Sequence, residues 1–280
     1  MRRLLYFILL FFIIIRPGSG LEIKLEPEVA WQGKVISIRI PSSEAVARVD
    51  ASFLGQRFAC YKRGDDYFGV VGIPLDQKPG RYNLALIITQ KDGKTEGAVQ
   101  KVRIWESRFP VSKFWLKPSK KKLMQPVLIN QEWGEIEKVL LVEEPKQFWE
   151  KKYLKPIAGV ISQGFGARQI INGRKSGGHK GVDFGAKVGT RVIAPNYGKV
   201  VFVKRLKVFG GTVVLDHGQG VFTLYFHLSK IYPAPGAFVM PGDVIALSGD
   251  SGVSSAPHLH WAMSVHNLRV DPMQWVRNEI

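Results

Sequence analysis

The chain has 280 residues, of which 45% are hydrophobic, and its formal net charge at pH 7 is +17. This length and apolar content suit two globular domains with buried cores. Although a basic chain can bind nucleic acid, the charge is spread along the sequence, and neither zinc-finger cysteines nor an RNA-recognition signature accompanies it. We therefore expect no nucleic-acid partner, and a diffuse basic surface suits an acidic matrix such as a bacterial envelope.

The first residues predict export. Two arginines precede the apolar run LLYFILLFFIII, residues 4–15, and small residues follow it. Twelve apolar residues are too few for a normal transmembrane helix, which needs about 20. We interpret residues 1–20 as a signal peptide that directs export to the periplasm or cell envelope, with the extracellular space as an alternative. Because Arg16 follows the apolar run, an uncleaved anchor is the alternative, and it would be the chain's only membrane contact.

Residues 21–106 show the pattern of a small β-sandwich. The runs VISIRI, ARVDASF and RYNLALII alternate apolar and polar side chains, and Asp92-Gly93 is a hairpin turn signal. About seven short strands predict an immunoglobulin-like fold, interpreted as a spacer or docking module. The single cysteine, Cys60, excludes an intramolecular disulfide and is predicted to be a buried, inert thiol.

Residues 107–155 predict a basic linker with one helix. The stretch RFPVSKFWLKPSKKKLMQP is broken by prolines, and its lysine run Lys120–Lys122 is interpreted as solvated. VLINQEWGEIEKVLLV follows with apolar residues at helical spacing, including Trp133, Ile136 and Leu140.

Residues 156–280 are rich in glycine and short β-type runs, with a final helical turn near DPMQWV, and they hold all six histidines. In HKGVDF, an extended chain puts His179 and Asp183 on one face, and Gly181 between them leaves room for an ion. In SSAPHLHWAM, two histidines again share a strand face. Imidazole and carboxylate are both suitable zinc ligands.

A catalytic zinc takes three protein ligands and keeps one position open. His179, Asp183 and one of the pair His258 and His260 would supply the three. The other histidine of the pair and His227, which ends the polar face of the strand TLYFHL, would then stand beside the metal for proton transfer and oxyanion stabilisation. Spacing alone does not say which of the pair binds the metal.

The motifs HKGVDF, GTRVIAPNYGKVVFV, LDHGQG, LYFHLS, GDVIALSGDSG and APHLHWAM occur in the order and spacing of the lysostaphin-type, or LytM-domain, zinc endopeptidases. The chain resembles this family over about residues 157–275. The resemblance implies an open antiparallel β catalytic domain, of the duplicated hybrid motif type, over residues 156–280. It also implies that one Zn²⁺ per chain is held by His179, Asp183 and His260. His227 and His258 are the two catalytic histidines that the resemblance implies.

The function implied is a secreted zinc metalloendopeptidase that hydrolyses peptide cross-links of peptidoglycan. His258 is the expected general base and His227 the expected oxyanion stabiliser, although the roles could be exchanged. We expect direct cross-links between D-alanine and a diamino acid rather than glycine bridges, because the accessory domain precedes the catalytic one. The alternatives are a catalytically silent activator of a cell-wall amidase and an exported peptidase acting on proteins.

The sequence also suggests roles for several further side chains. Tyr225, Lys180 and Asn172 are predicted to contact substrate. A diffuse electrostatic contribution is expected from basic residues near the site: Lys180, Lys204, Arg205 and Lys207. His217 is interpreted as a structural turn residue and His266 as an exposed turn histidine.

Overall fold

The computed structural model describes residues 23–280. The predicted signal peptide, residues 1–20, lies outside the described residues. Between residues 23 and 280 the protein is mainly β, with an N-terminal domain, a connector and a C-terminal domain. No helix in this part of the chain is both long and apolar enough to cross a membrane.

The N-terminal domain is built from eight strands. They are β1 Lys24–Glu26, β2 Ala30–Trp31, β3 Val35–Pro41, β4 Val46–Phe53, β5 Gln56–Arg63, β6 Asp66–Gly72, β7 Gly80–Gln90 and β8 Thr95–Trp105. Their order is β1-β3-β6-β5-β4-β7-β8-β2. Strand β5 pairs with β4 up to Cys60 and with β6 from Tyr61 onward, so it passes from one layer to the other. This confirms a β domain here, with eight strands instead of about seven, while the immunoglobulin-like assignment stays a prediction.

The alternation read from the sequence defines the core of this domain. In β3, Ile36, Ile38 and Ile40 are at most 1% exposed and pack against apolar residues of β4 and β7. The Asp92-Gly93 turn is present, and Gly93 has a φ of +84°, a conformation that glycine adopts without steric cost. Cys60 is buried, and burial, with the nearby Asp50, raises its pKa to about 12. The thiol is therefore protonated at neutral pH, as predicted for an inert cysteine.

The connector holds one strand and two helices: β9 Val111–Phe114, α1 Pro118–Lys121 and α2 Pro126–Leu140. The predicted helix is α2, whereas the four-residue α1 within the basic stretch was not expected. On α2, Ile136 and Leu140 are buried against strands of the C-terminal domain, as their spacing predicted. The lysine run was interpreted as solvated, and this is wrong for Lys120, whose Nζ donates to two backbone carbonyls of the C-terminal domain.

A buried carboxylate fixes α2 to the C-terminal domain. Glu132 is 5% exposed, and its two oxygens accept hydrogen bonds from the backbone N–H groups of Lys207 (2.7 Å), Val208 (2.9 Å) and Phe209 (3.4 Å). These three donors lie in a tight turn, where they have no strand partner to donate to. Glu132 therefore completes the hydrogen bonding of a turn that is 75 residues away in sequence.

The C-terminal domain contains thirteen strands and one short helix. The strands are β10 Val160–Gln163, β11 Arg168–Ile171, β12 Arg174–Gly178, β13 Val182–Gly185, β14 Arg191–Ile193, β15 Gly198–Leu206, β16 Gly210–Asp216, β17 Val221–Leu228, β18 Lys230–Ile231, β19 Phe238–Val239, β20 Val244–Leu247, β21 His258–Val265 and β22 Leu268–Val270, and the helix is α3 Pro272–Arg277.

The main antiparallel sheet of this domain has the order β10-β13-β21-β17-β16-β15-β19, with β22 beside β21. A smaller sheet is β14-β20-β18, and a third, β12-β11-β9, includes the connector strand. The short final helix α3 was predicted. Asp271 caps it, because its carboxylate accepts from the N–H of Met273 at 2.9 Å.

The two domains share a hydrophobic interface. Val35 and Phe68 of the N-terminal domain pack into one buried cluster with Trp149, Val270 and Trp275. The side-chain amide of Gln274 also satisfies both backbone groups of Val35, at 2.8 and 2.9 Å. An apolar cluster with paired polar groups restricts movement of one domain against the other.

We expect Glu132→Ala to destabilise the protein. The substitution removes the acceptor of the buried Val208 N–H and of the two part-buried N–H groups beside it. A buried N–H group without an acceptor costs about 1–3 kcal/mol, so the unfolding free energy should fall by about 1–3 kcal/mol. The matched control is Glu135→Ala on the same helix, which removes only a surface ion pair with Lys204 and should cost less than about 1 kcal/mol. Urea denaturation checks both, and equal midpoints for the two variants would contradict the role of Glu132.

Candidate metal centre

The pairing of β13 with β21 brings the predicted ligands together. In this antiparallel pair Asp183 lies directly opposite His260, and His258 lies opposite Gly185. Because side chains alternate along a strand, Asp183, His258 and His260 point to the same face of the sheet. His179 precedes β13 and reaches the same place from the adjoining loop.

Three ligand atoms converge at this point. The separations are 3.0 Å from His179 Nε2 to His260 Nδ1, 3.1 Å from His179 Nε2 to Asp183 Oδ1, and 2.7 Å from His260 Nδ1 to Asp183 Oδ1. Zinc ligands at about 2.0–2.2 Å in a tetrahedron stand roughly 3.3 Å apart, so the donor set fits a zinc ion after small adjustments. Within residues 23–280 this is the one group of three or more such side chains close enough to hold a metal.

Hydrogen bonding fixes how His179 presents its ring. Its Nδ1 lies 3.0 Å from the carbonyl oxygen of Gly164. A carbonyl only accepts, so Nδ1 carries the proton and Nε2 presents its lone pair to Asp183 and His260. Metal-binding imidazoles are commonly oriented by such a bond on the second ring nitrogen.

The protonation states suit a cation. Burial lowers the pKa of His260 to about 4, so its imidazole is neutral at pH 7. For Asp183, burial opposes ionisation, but the imidazoles of His260 and His179 outweigh it and hold the carboxyl pKa below its usual range. The group therefore offers an ionised carboxylate beside an imidazole that is neutral at pH 7, and both are suitable metal ligands.

Position 181 requires a glycine because other atoms approach its backbone closely. A Cβ there would lie 2.6 Å from His260 Nε2 and 2.7 Å from the Trp261 carbonyl oxygen. The glycine therefore makes room for the ring of His260, and the prediction that it leaves room for the ion itself stays a prediction.

His227 and His258 stand beside this group. Their ring centroids are 4.8 Å apart, and His258 Nε2 lies 3.7 Å from Asp183 Oδ1. His227 Nδ1 is 2.8 Å from the Ser251 carbonyl, and His258 Nδ1 is 2.8 Å from the Ala256 carbonyl. Both Nδ1 atoms therefore carry protons, and in the neutral rings both Nε2 atoms are free to accept one.

His227 is held in an unusual backbone conformation. Its φ is +62°, and its N–H donates to the Phe209 carbonyl at 3.0 Å. Strain of this kind is concentrated at functional sites, where the surrounding structure maintains it. Burial, with smaller effects from His258 and His260, lowers its pKa to about 3, so the ring is neutral at pH 7.

The connector supports the loop that orients His227, which the sequence did not reveal. Lys120 Nζ donates to the carbonyls of Asp250 and Gly252, each at 2.7 Å, on either side of Ser251. Ser251 Oγ accepts from Gly211 N–H and donates to the Leu228 carbonyl. The Ser251 carbonyl that receives the His227 ring proton is therefore fixed from both sides.

Of the predicted substrate contacts, Tyr225 must be corrected. It is 0% exposed, and its hydroxyl bonds to Thr223 Oγ1 at 2.9 Å, so it belongs to the core. The side chain of Asn172 is bonded to both backbone groups of Leu116, at 3.1 and 3.2 Å. Lys180 is exposed next to His179, and its substrate contact stays a prediction.

The two remaining histidines are structural. His217 is buried, with Nδ1 2.6 Å from the Tyr197 carbonyl and Nε2 2.7 Å from Thr223 Oγ1. His266 does lie in a turn, but the prediction that it is exposed was wrong. Its side chain is 5% exposed and bonds to Glu143 and to the Val70 carbonyl of the N-terminal domain.

Comparison with protein families and solved structures gives a consistent result. Residues 177–272 match Peptidase family M23. A solved structure from Pseudomonas aeruginosa, described as an M23 peptidase, is 27% identical with a TM-score of 0.68, and the match covers 90% of this chain and 96% of that one. The shared architecture therefore includes both domains.

Curated relatives match about a third of the chain. Peptidoglycan DD-endopeptidase ShyB of Vibrio cholerae is 38% identical over 96 residues, which are 34% of this chain and 22% of that protein. DD-carboxypeptidase/endopeptidase Mpg of Neisseria meningitidis is 39% identical over 95 residues, again 34% of this chain and 22% of the relative. The chain thus matches about a fifth of the length of these relatives.

We expect the three-residue group to bind one zinc ion per chain. His179→Ala, Asp183→Ala and His260→Ala should each lose it, because a two-ligand site binds far more weakly. His258→Ala is the matched control, since it removes a neighbouring imidazole and should leave zinc content unchanged. Elemental analysis of the purified proteins provides the measurement, and loss of zinc from His258→Ala with retention in His260→Ala would reverse the assignment.

Proposed function

The chain contains a peptidase family M23 domain over residues 177–272, and on this premise we propose that it is a zinc endopeptidase that hydrolyses peptide cross-links of bacterial peptidoglycan. The observation that carries the proposal is the convergence of His179, Asp183 and His260 within 3.1 Å of one another, beside two further histidines. That combination provides both a metal site and groups that can move a proton.

Zinc held by the three ligands would act as a Lewis acid on the scissile carbonyl and lower the pKa of water. The chain's own contribution is proton transfer. With Nδ1 bonded to a carbonyl, the Nε2 of His258 or of His227 can accept a proton from the attacking water. The ring that has gained this proton can then donate to the developing oxyanion or to the leaving amine.

We assign His258 as the general base and His227 as the group that stabilises the oxyanion, a role that requires a proton on His227 Nε2 because its Nδ1 proton is bonded to the Ser251 carbonyl. His258 lies at the edge of the site, with 13% of its side chain exposed, so it can exchange protons with solvent. Because both rings are bonded through Nδ1 in the same way, the geometry is also compatible with His227 as the general base and His258 as the stabilising group.

The descriptions of two relatives support the choice of substrate. ShyB is described as a peptidoglycan DD-endopeptidase, and Mpg as a DD-carboxypeptidase/endopeptidase. We therefore propose direct cross-links to D-alanine as the bond cleaved. The apolar run at residues 4–15 and the wall substrate together support a location in the cell envelope.

The competing function is a silent regulator that activates a separate amidase. Loss of catalysis would be expected to show as loss of a ligand or of a proton-transfer group, whereas all five side chains are present and oriented. An exported peptidase acting on proteins uses the same site and differs only in substrate.

Digestion of purified sacculi by the zinc-loaded protein tests the proposal. Cross-linked dimers should fall to monomers with unchanged glycan length, and pentaglycine should be cut slowly or not at all. His258→Ala should keep its zinc and lose turnover by roughly 10²–10⁴-fold, the usual contribution of a general base.

Mass spectrometry of the released muropeptides, with and without chelator, supplies the readout. Sacculi left intact by a zinc-loaded protein would contradict the proposed activity. Stimulation of a purified amidase by the same protein would then favour the regulator, and digestion of denatured proteins alone would favour the protein peptidase.

A further inference from the structure

A groove with two exposed tryptophans lies outside the metal centre. It consists of two adjoining cavities of about 790 and 470 Å³, and Trp105 and Glu106 line both. The larger cavity is bounded by the N-terminal domain, by the connector at Phe109 and by the C-terminal domain at Phe165. Its size is within the range of ligand-binding sites.

The tryptophans form an ordered apolar platform. Trp31 and Trp105 are directly paired in the parallel strands β2 and β8, with ring centroids 6.1 Å apart and planes at 30°. They are 42% and 40% exposed. The Arg103 guanidinium stacks on Trp105 at 4.1 Å from the ring centroid, which holds that indole in place. Two adjacent exposed indoles in a concave surface are typical of a binding site.

The polar rim of the groove is cationic. Lys34 and Asp271 form an ion pair with each other. Arg108 lines the larger cavity and Arg81 the smaller one, and neither side chain has a hydrogen bond or ion pair to another residue in the part of the chain from 23 to 280. Arg81, Arg103 and Arg108 share the lining of the two cavities with one carboxylate that is outside that ion pair, Glu106. The groove therefore offers flat apolar faces together with unused hydrogen-bond donors.

We propose that this groove binds the glycan strand of peptidoglycan, a polymer of N-acetylated amino sugars whose substituents carry carboxylates; the choice of ligand rests on the proposed function. The C–H faces of a pyranose ring pack against the electron-rich face of an indole. Carboxylate and acetamido oxygens accept hydrogen bonds from guanidinium groups. A membrane surface fits less well, because the tryptophans line a concavity that also contains Glu106 and Asp271.

One short backbone segment links the lining of the groove to the metal centre. Phe165 lines the larger cavity, and its neighbours on both sides bond to a metal ligand. The Gly164 carbonyl accepts from His179 Nδ1, and the Gly166 N–H donates to the His179 carbonyl at 2.8 Å. A glycan strand in the groove would thus lie against the segment that orients His179.

Titration with peptide-free glycan strands tests the inference directly. Using the full zinc-loaded chain, Trp31→Ala and Trp105→Ala should each weaken binding roughly three- to tenfold, the value of one aromatic stacking contact. Trp105→Phe should retain most of the affinity. The matched control is Trp115→Ala, which removes a 69% exposed tryptophan outside both cavities and should bind as the parent does. The KM for sacculi should rise with the loss of strand binding.

Unchanged strand affinity in Trp31→Ala and Trp105→Ala, with their melting temperatures retained, would overturn the inference. Equal losses in Trp115→Ala would do so as well, and so would binding to anionic lipid vesicles that depends on the same two tryptophans. Strand binding needs no bond cleavage. A protein that binds strands through Trp31 and Trp105 but leaves sacculi intact would therefore contradict the peptidase proposal and support this one.

Discussion

The register between β13 and β21 is the constraint on which the site depends. Asp183 faces His260 across the ladder, and His258 is two residues away on the same face. A shift of one residue would turn both histidines of β21 to the opposite face, where Leu259 and Trp261 now fill the core. The buried apolar face therefore holds the metal ligands in place. Exchanging the faces would bury imidazoles and expose an indole, so the hydrophobic effect that stabilises the sheet also keeps the ligands together.

Other parts of the chain orient the histidine rings around this pair of strands. Three of the four histidines of the site have Nδ1 bonded to a main-chain carbonyl: Gly164 for His179, Ser251 for His227 and Ala256 for His258. These carbonyls lie in loops, which are otherwise the mobile parts of a fold. Lys120 from the connector braces one of the loops, and Glu132 fixes the turn whose Phe209 carbonyl receives the His227 N–H. Rigid support of loop residues is what precise positioning of catalytic groups requires.

Much of this could be read from the sequence because it depends on local periodicity. Alternation located β3 and β7, and helical spacing located α2. The ligand types and the shared strand face were also visible, although spacing could not choose between His258 and His260. That choice depends on which residue lies opposite Asp183, which is a property of the pairing between two distant strands. Tyr225 was placed wrongly for a similar reason, because the polar-looking face of β17 is itself covered in the folded protein.

The residues whose roles the sequence did not predict are those whose partners are distant in the sequence. Glu132 lies within a helix with ordinary amphipathic spacing, and nothing near it in sequence indicates three main-chain donors more than seventy residues later. Lys120 belongs to a lysine run of the kind that is usually solvated. His266 has a turn conformation typical of exposed loops, yet the other domain covers its ring.

The strand β9 sets a limit on how such a chain can be rearranged. Because it forms one edge of the sheet β12-β11-β9, and α2 follows it with the Glu132 carboxylate, the connector is structurally part of the C-terminal domain although its sequence reads as a linker. A recombination event that joined a different accessory module at residue 156 would remove a strand and the cap of a turn at once. A junction near residue 107 would keep both. Even there, the new module would have to cover the apolar surface of Trp149 and Val270 that Val35 and Phe68 now bury.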